Sequence, residues 1–117
     1  MIGASKTQSV NSGLVTPIYT VSISPGFIEV FSDNGSSTSP FANSSVNNGV
    51  GPYEYLWTIT GSDISIVTST DSRTRFSASG FNSIYSEVAT LTVTDKGNGD
   101  AQTSKNITVS FDFESGA

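Results

Sequence analysis

From Tyr19 onward the apolar residues fall at every second position. Tyr19, Val21 and Ile23 alternate with Thr20 and Ser22, the period of a strand with one face on a core. Pro25-Gly26 ends that run, because proline lacks a backbone donor and glycine admits unusual φ. Phe27 to Phe31 resumes it, with Ile28 and Val30 on one face. Asp33-Asn34-Gly35 is a turn signal. Thr38 to Val46 reads as a weaker, Ser-rich strand whose main apolar residue is Phe41. Asn47-Asn48-Gly49 and Gly51-Pro52 give the next turn. Tyr53, Tyr55, Trp57 and Ile59 then share a face opposite Glu54, Thr58 and Thr60, with Leu56 interrupting the polar side. Gly61-Ser62-Asp63 turns the chain again. Ile64, Ile66 and Val67 predict a short strand, and Thr74, Phe76 and Ala78 another, with Arg73 and Arg75 outward. Gly80-Phe81-Asn82-Ser83 reads as a loop. Tyr85, Ala89, Leu91 and Val93 line the next strand, and the segment from Asp95 to Asp100 reads as a hairpin connection. Ile107, Val109, Phe111 and Phe113 line the last strand against Thr108, Ser110 and Asp112.

Strand-plus-turn units of roughly 8–12 residues, with no helical period, predict an all-β sandwich of about 7–9 antiparallel strands. No internal repeat is visible, which argues against a propeller or solenoid. Residues 1–18 lack the period. The stretch from Ser5 to Gly13 is polar and small, and predicts an extended N-terminal arm ahead of a domain over 19–117. Leu14, Val15 and Ile18 would anchor the end of that arm, and its composition favours contact with a partner chain.

Composition sharpens this picture. Ser and Thr supply 36 of the 117 residues, which suits strands better than helices. Seven Phe, four Tyr and one Trp supply much of a small core. The net charge of −5 and the dispersed cations Lys6, Arg73, Arg75, Lys96 and Lys105 argue against nucleic acid as a partner. Arg73 and Arg75 read as a solvated strand face. No Cys and no His are present, so thiolate chemistry and the commonest general base are missing. The opening residues have no basic stretch followed by an apolar one, so they are not read as a secretory signal. No apolar run approaches the ~20 residues that cross a membrane as a helix. The expectation is a chain that stays where it is made, unless it leaves on a particle.

Candidate chemistry is sparse. Asp95, Asn98 and Asp100 suggest a calcium loop, but counted from Asp95 the third and fifth places hold Gly97 and Gly99, where an EF-hand needs side-chain oxygen ligands, and the twelfth holds Asn106 where it needs Glu. A solvated hairpin turn is the simpler reading. Asp33, Asp63, Asp71 and Asp112 show no paired spacing, and no serine sits in a G-x-S-x-G elbow. The sequons at Asn34, Asn43 and Asn106 are expected by chance in so Ser- and Thr-rich a chain. No catalytic residue, metal ligand or cofactor is therefore expected, and the chain is not read as an enzyme. Tyr55 and Trp57 are expected to fill the core. Phe81, between Gly80 and Asn82, is the candidate exposed anchor.

Two segments carry a family resemblance. Gly51-Pro52-Tyr53-Glu54-Tyr55-Leu56-Trp57 resembles the opening of PKD-like and of bacterial or phage immunoglobulin-like domains. Ala89-Thr90-Leu91-Thr92-Val93-Thr94-Asp95 resembles their later strand, and Thr70 to Ala78 is similar to segments of immunoglobulin-like modules in tailed-phage virion proteins. PKD domains usually follow the Trp with an acidic, Gly-rich turn; here Thr58-Ile59-Thr60-Gly61 follows. The phage-type branch therefore fits better. The resemblance covers about residues 19–113. It implies an immunoglobulin-like β-sandwich and a structural role: a capsid or tail decoration protein on the exterior of a phage particle. Its partners would be the major capsid or tail protein and copies of itself, with no nucleic acid and no membrane. Ile2, Leu14, Val15, Ile18 and Phe81 are the expected partner-binding residues. The alternative reading is a carbohydrate- or cell-surface-binding module of a larger adhesin or secreted enzyme, with weak glycan binding.

Overall fold

Alternating sequences must cover one face, and this chain does so by pairing its long C-terminal strands into a sheet roofed by shorter ones. The computed structural model describes residues 19–114. Its strands are β1 (Thr20–Ser24), β2 (Phe27–Ser32), β3 (Ser36–Thr38), β4 (Ala42–Asn47), β5 (Tyr53–Ile59), β6 (Ile64–Ile66), β7 (Arg73–Thr74), β8 (Phe76–Ser79), β9 (Ser83–Asp95) and β10 (Ala101–Phe113). One 3₁₀ turn, Lys96–Asn98, links β9 to β10. The protein is mostly β, with antiparallel and mixed pairing.

The widest sheet has the order β2-β10-β9-β5. At its centre β9 and β10 pair antiparallel over their full lengths, from Ala101 opposite Asp95 to Phe113 opposite Ser83. Two smaller groups, β1-β4-β7 and β3-β8-β6, complete the structure. Tyr19 just before β1, Val21 and Ile23 of β1, Ala42 of β4 and Phe76 of β8 join one buried cluster with Ile28, Trp57, Leu91, Val93, Val109, Phe111 and Phe113 of the wide sheet. The arrangement is a sandwich-like all-β fold.

Trp57 sits at the centre of this core, 1% exposed. Its ring meets Phe76 edge-on at 6.1 Å, and its Nε1–H donates to the Asp71 carbonyl at 2.8 Å. The indole therefore buries its apolar body without stranding its one donor. Phe113 stacks on Phe111 at 5.9 Å and meets Tyr85 at 6.0 Å. Tyr19 closes the hairpin end, where its hydroxyl lies 3.0 Å from the Val93 carbonyl and 2.5 Å from that of Ala101.

The expected alternation of β2, β5, β9 and β10 matches the buried faces. Three expectations change. First, the described residues hold ten strands rather than about 7–9, because two expected strands are each cut in two. The run Thr38–Val46 breaks at Ser39-Pro40-Phe41, and the run Thr74–Ala78 breaks opposite it at Arg75. Ser39 causes the first break: its N–H donates to the Phe76 carbonyl at 2.7 Å while its Oγ accepts from the Phe76 N–H at 2.9 Å. Pro40 offers no donor to continue the ladder. The chain so passes from the β3–β8 pairing to the β4–β7 pairing. Second, the sheet is not purely antiparallel. β2 runs parallel to β10, with Phe27 opposite Thr108 and Ser32 opposite Phe113. The break at Pro25-Gly26 carries the chain from β1, paired with β4, to β2 on the wide sheet. Third, Val67 lies beyond β6 and is exposed.

Trp57→Ala removes the largest side chain of the core and leaves a cavity between the layers. Urea unfolding should show a loss of about 3–5 kcal/mol; a loss below about 1 kcal/mol would contradict the inward register of β5.

Candidate docking surface

The inward positions of β9 include two carboxylates that the alternation of apolar residues conceals. Glu87 and Asp95 share the face of Ala89, Leu91 and Val93, and both are buried. Asp95 Oδ2 accepts from the Val50 N–H at 2.9 Å, and Oδ1 accepts from those of Gly51 at 2.9 Å and Gly97 at 3.2 Å. Glu87 Oε1 accepts from the Gly61 N–H and Oε2 from that of Asp63, both at 3.0 Å. Backbone donors of loops compensate each buried charge. Val50 and Gly51 precede β5, while Gly61 and Asp63 follow it. The two acids thus fasten both ends of the Trp57 strand.

The segment from Asp95 to Asp100 is a hairpin connection, as expected, but Asp95 is no solvated turn residue. Its oxygens point to backbone N–H groups. Gly97 makes that approach possible, since a Cβ there would lie 2.0 Å from the Gly51 carbonyl oxygen. At the exposed side of the turn, Lys96 Nζ lies 3.0 Å from Asp100. The hydrogen bond to Asp100, then its charge, raises the Lys96 ammonium above its ordinary value. Burial, then the Asp95 charge, likewise raises the Tyr53 hydroxyl. Among the described residues no group of three or more His, Cys, Asp or Glu side chains could hold a metal ion.

Of the expected partner-binding residues, Ile2, Leu14, Val15 and Ile18 lie outside the described residues. Phe81 lies in the loop between β8 and β9, at the end of the sheet where β9 begins, and is 73% exposed. The outward face of the wide sheet carries Phe27 and Phe31 on β2 and Ile84 and Val88 on β9, at 52%, 67%, 69% and 37% exposure. The register sets them in rows. Phe27, Thr108 and Val88 form one row, and Phe31, Asp112 and Ile84 form another. Glu29, Ser110 and Ser86 lie between. The four apolar groups mark the corners of a patch roughly 13 Å along the strands and about 10 Å across them. Two shallow depressions border its lower row, one lined by Phe31, Ser32, Asp33 and Glu114, the other by Ile84, Asp112 and Glu114 among others.

The signal for this patch was in the sequence. β2 and the start of β9 are apolar on both faces, as Phe27-Ile28 and Ile84-Tyr85 show, and a strand of that kind reads as covered on both sides. Assigning one face to the core left the other face unassigned.

Leu56 of β5 is also exposed on the outward face of the wide sheet, and Val50 and Val67 are exposed outside the strands; the rest of the described surface is largely polar. Arg73 and Arg75 are not a merely solvated pair: each guanidinium carbon lies 4.1 Å from the centre of the half-buried Phe41 ring. A trough along β3, β8 and β6 is lined by serines, Thr38, Ala78 and Asp63.

No family model matches the chain, and no curated protein matches it either.

Asp95→Asn replaces one acceptor oxygen with an amide that confronts a backbone N–H. It should cost about 2–3 kcal/mol by urea unfolding, with amide exchange rising first at Val50, Gly51 and Gly97; unchanged stability would refute the clamp. Phe31→Thr with Ile84→Thr should stay within about 1 kcal/mol of the parent, since neither side chain supports the core. A larger loss would mean that the patch packs inside the fold.

Proposed function

We propose that the protein is an immunoglobulin-like module that serves as a structural accessory of a tailed-phage particle, docking on the major capsid or tail protein and decorating or stabilising its exterior. The observation that carries the docking role is the gathering of Phe27, Phe31, Ile84 and Val88 on one face of the wide sheet of an acidic domain. Four exposed apolar groups gathered around one polar-centred face support an interaction surface there.

Strand order supports the immunoglobulin-like reading. The first two strands divide between sheets, β1 against β4 and β2 against β10, and the Trp-bearing β5 sits beside β9. The β9–β10 hairpin forms the centre of the wide sheet, as the later strands of such sandwiches do. The phage assignment rests on the resemblance of the Gly51–Trp57 and Ala89–Asp95 segments and on the missing acidic turn after Trp57. Fold alone assigns no role. In this reading no residue is catalytic and no cofactor is required. Many copies on a symmetric shell would add weak contacts into stable attachment. The net negative charge would keep decorated particles apart. Residues 1–18, with Ile2, Leu14, Val15 and Ile18, form a second contact in this proposal.

A carbohydrate- or cell-surface-binding module is the second reading. The hydroxyl-lined trough and the exposed Phe81 favour it. It predicts glycan-array signal for the isolated chain, which the structural reading does not.

Mass spectrometry of purified, salt-washed particles tests the first reading. Peptides of this chain should appear in fixed ratio to the shell protein, and the chain lacking residues 1–18 should load to lower occupancy. Washed particles free of the chain would overturn the virion role. Full occupancy by the truncated chain would remove the arm from the anchor.

A further inference from the structure

We propose that the open edge of β2 is completed by an extended segment of a partner protein that alternates apolar and cationic residues. This rests on the docking reading above and names the surface and the chemistry through which docking occurs.

β2 is an outer strand, bonded only to β10 among the described residues. The Ser32 carbonyl accepts from the Glu114 N–H on the β10 side at 2.9 Å. Main-chain groups alternate sides along a strand, so those of Ile28, Val30 and Ser32 face β10. Those of Phe27, Glu29 and Phe31 face the open side. The same three residues put their side chains on the outward face, where all three are exposed. An added strand would therefore gain main-chain hydrogen bonds and cross-strand side-chain contacts at the same positions.

The charges select the occupant. Glu29 stands between the two phenyl rings, with Asp112 diagonal to it across Ser110 and with Asp33 and Glu114 at the end of the patch. A second copy pairing antiparallel about Glu29 would set two carboxylates opposite each other, which is destabilising. Shifting the register by one pair would set Glu29 against Phe27 or Phe31 with no counterion. Of the cations among the described residues, Arg73 and Arg75 stack on Phe41, Lys96 pairs with Asp100, and Lys105 lies on β10 before its pairing with β2 begins. A charge in the middle of an edge strand is a known defence against self-pairing. It becomes an attraction for a partner with Lys or Arg at the facing position. The segment that fits reads apolar, any, cation, any, apolar, the apolar residues facing Phe27 and Phe31 and the cation facing Glu29.

Two capped heptapeptides test this by amide NMR on the full chain: Thr-Val-Thr-Lys-Thr-Val-Thr, and the same sequence with Glu in place of Lys. The Lys peptide should shift the amides of Phe27, Glu29 and Phe31 and their β10 neighbours, and bind at least about tenfold more tightly than the Glu peptide. Glu29→Lys, checked for an intact spectrum, should reverse that ranking. Absent shifts, shifts elsewhere, or a ranking that survives Glu29→Lys would overturn the proposal. So would binding that requires removal of residues 1–18, which would make the chain's own segment the occupant. Failure here would leave the particle experiment standing, since that experiment does not depend on which edge docks.

Discussion

The fold depends on a constraint set by β9, which carries the core of the wide sheet and also two carboxylates that face inward with it. Asp95 and Glu87 are buried, and a buried carboxylate is tolerable only when hydrogen-bonded. The nearest donors are the backbone N–H groups of the loops at either end of β5, and both acids use them. The charges thereby fix where β5 begins and ends. Trp57 lies midway between those two loops, so the same bonds set its depth in the core. Gly97 belongs to this arrangement because only a residue without a Cβ lets the hairpin turn approach Gly51.

With one face of the wide sheet committed to this core, the other face exposes its side chains among the described residues. Most of its exposed apolar groups lie on β2 and the beginning of β9, with Leu56 of β5 nearer the hairpin end that Tyr19 and Asp95 close. The acidic groups Glu29, Asp112, Asp33 and Glu114 surround them. In the proposed docking, apolar contact would supply attraction while the carboxylates would discriminate among partners. That division is common at interfaces, where burial gives affinity and charge gives register and partner choice. The proposed structural accessory would need this combination, since it would bind a shell repeatedly without polymerising with itself.

The alternating residues of β1, β2, β5, β9 and β10 were legible in the sequence because a strand with one face on a core leaves a period of two that any packing must respect. Trp57 on the inner face, Asp95 to Asp100 as a connection and Phe81 as an exposed loop residue were legible for the same local reasons. The breaks at Ser39-Pro40 and Arg75 were not, because each depends on a partner strand that sequence spacing does not name. Asp95 looked like a turn residue since its neighbours are turn formers. Its role comes from Val50 and Gly51, more than forty positions away, whose N–H groups it binds. Arg73 and Arg75 looked solvated because Phe41, on which both stack, is distant in sequence.

Local chemistry by itself therefore determined the class of fold, the inward residues of the long strands and the turns between them. Tertiary structure decided which strands are neighbours, that β2 runs parallel to β10, and that the second apolar face of β2 and β9 forms one patch. The physical reason is that side-chain alternation is a property of a single strand, whereas pairing, layer choice and the satisfaction of buried charge are properties of two or more segments at once.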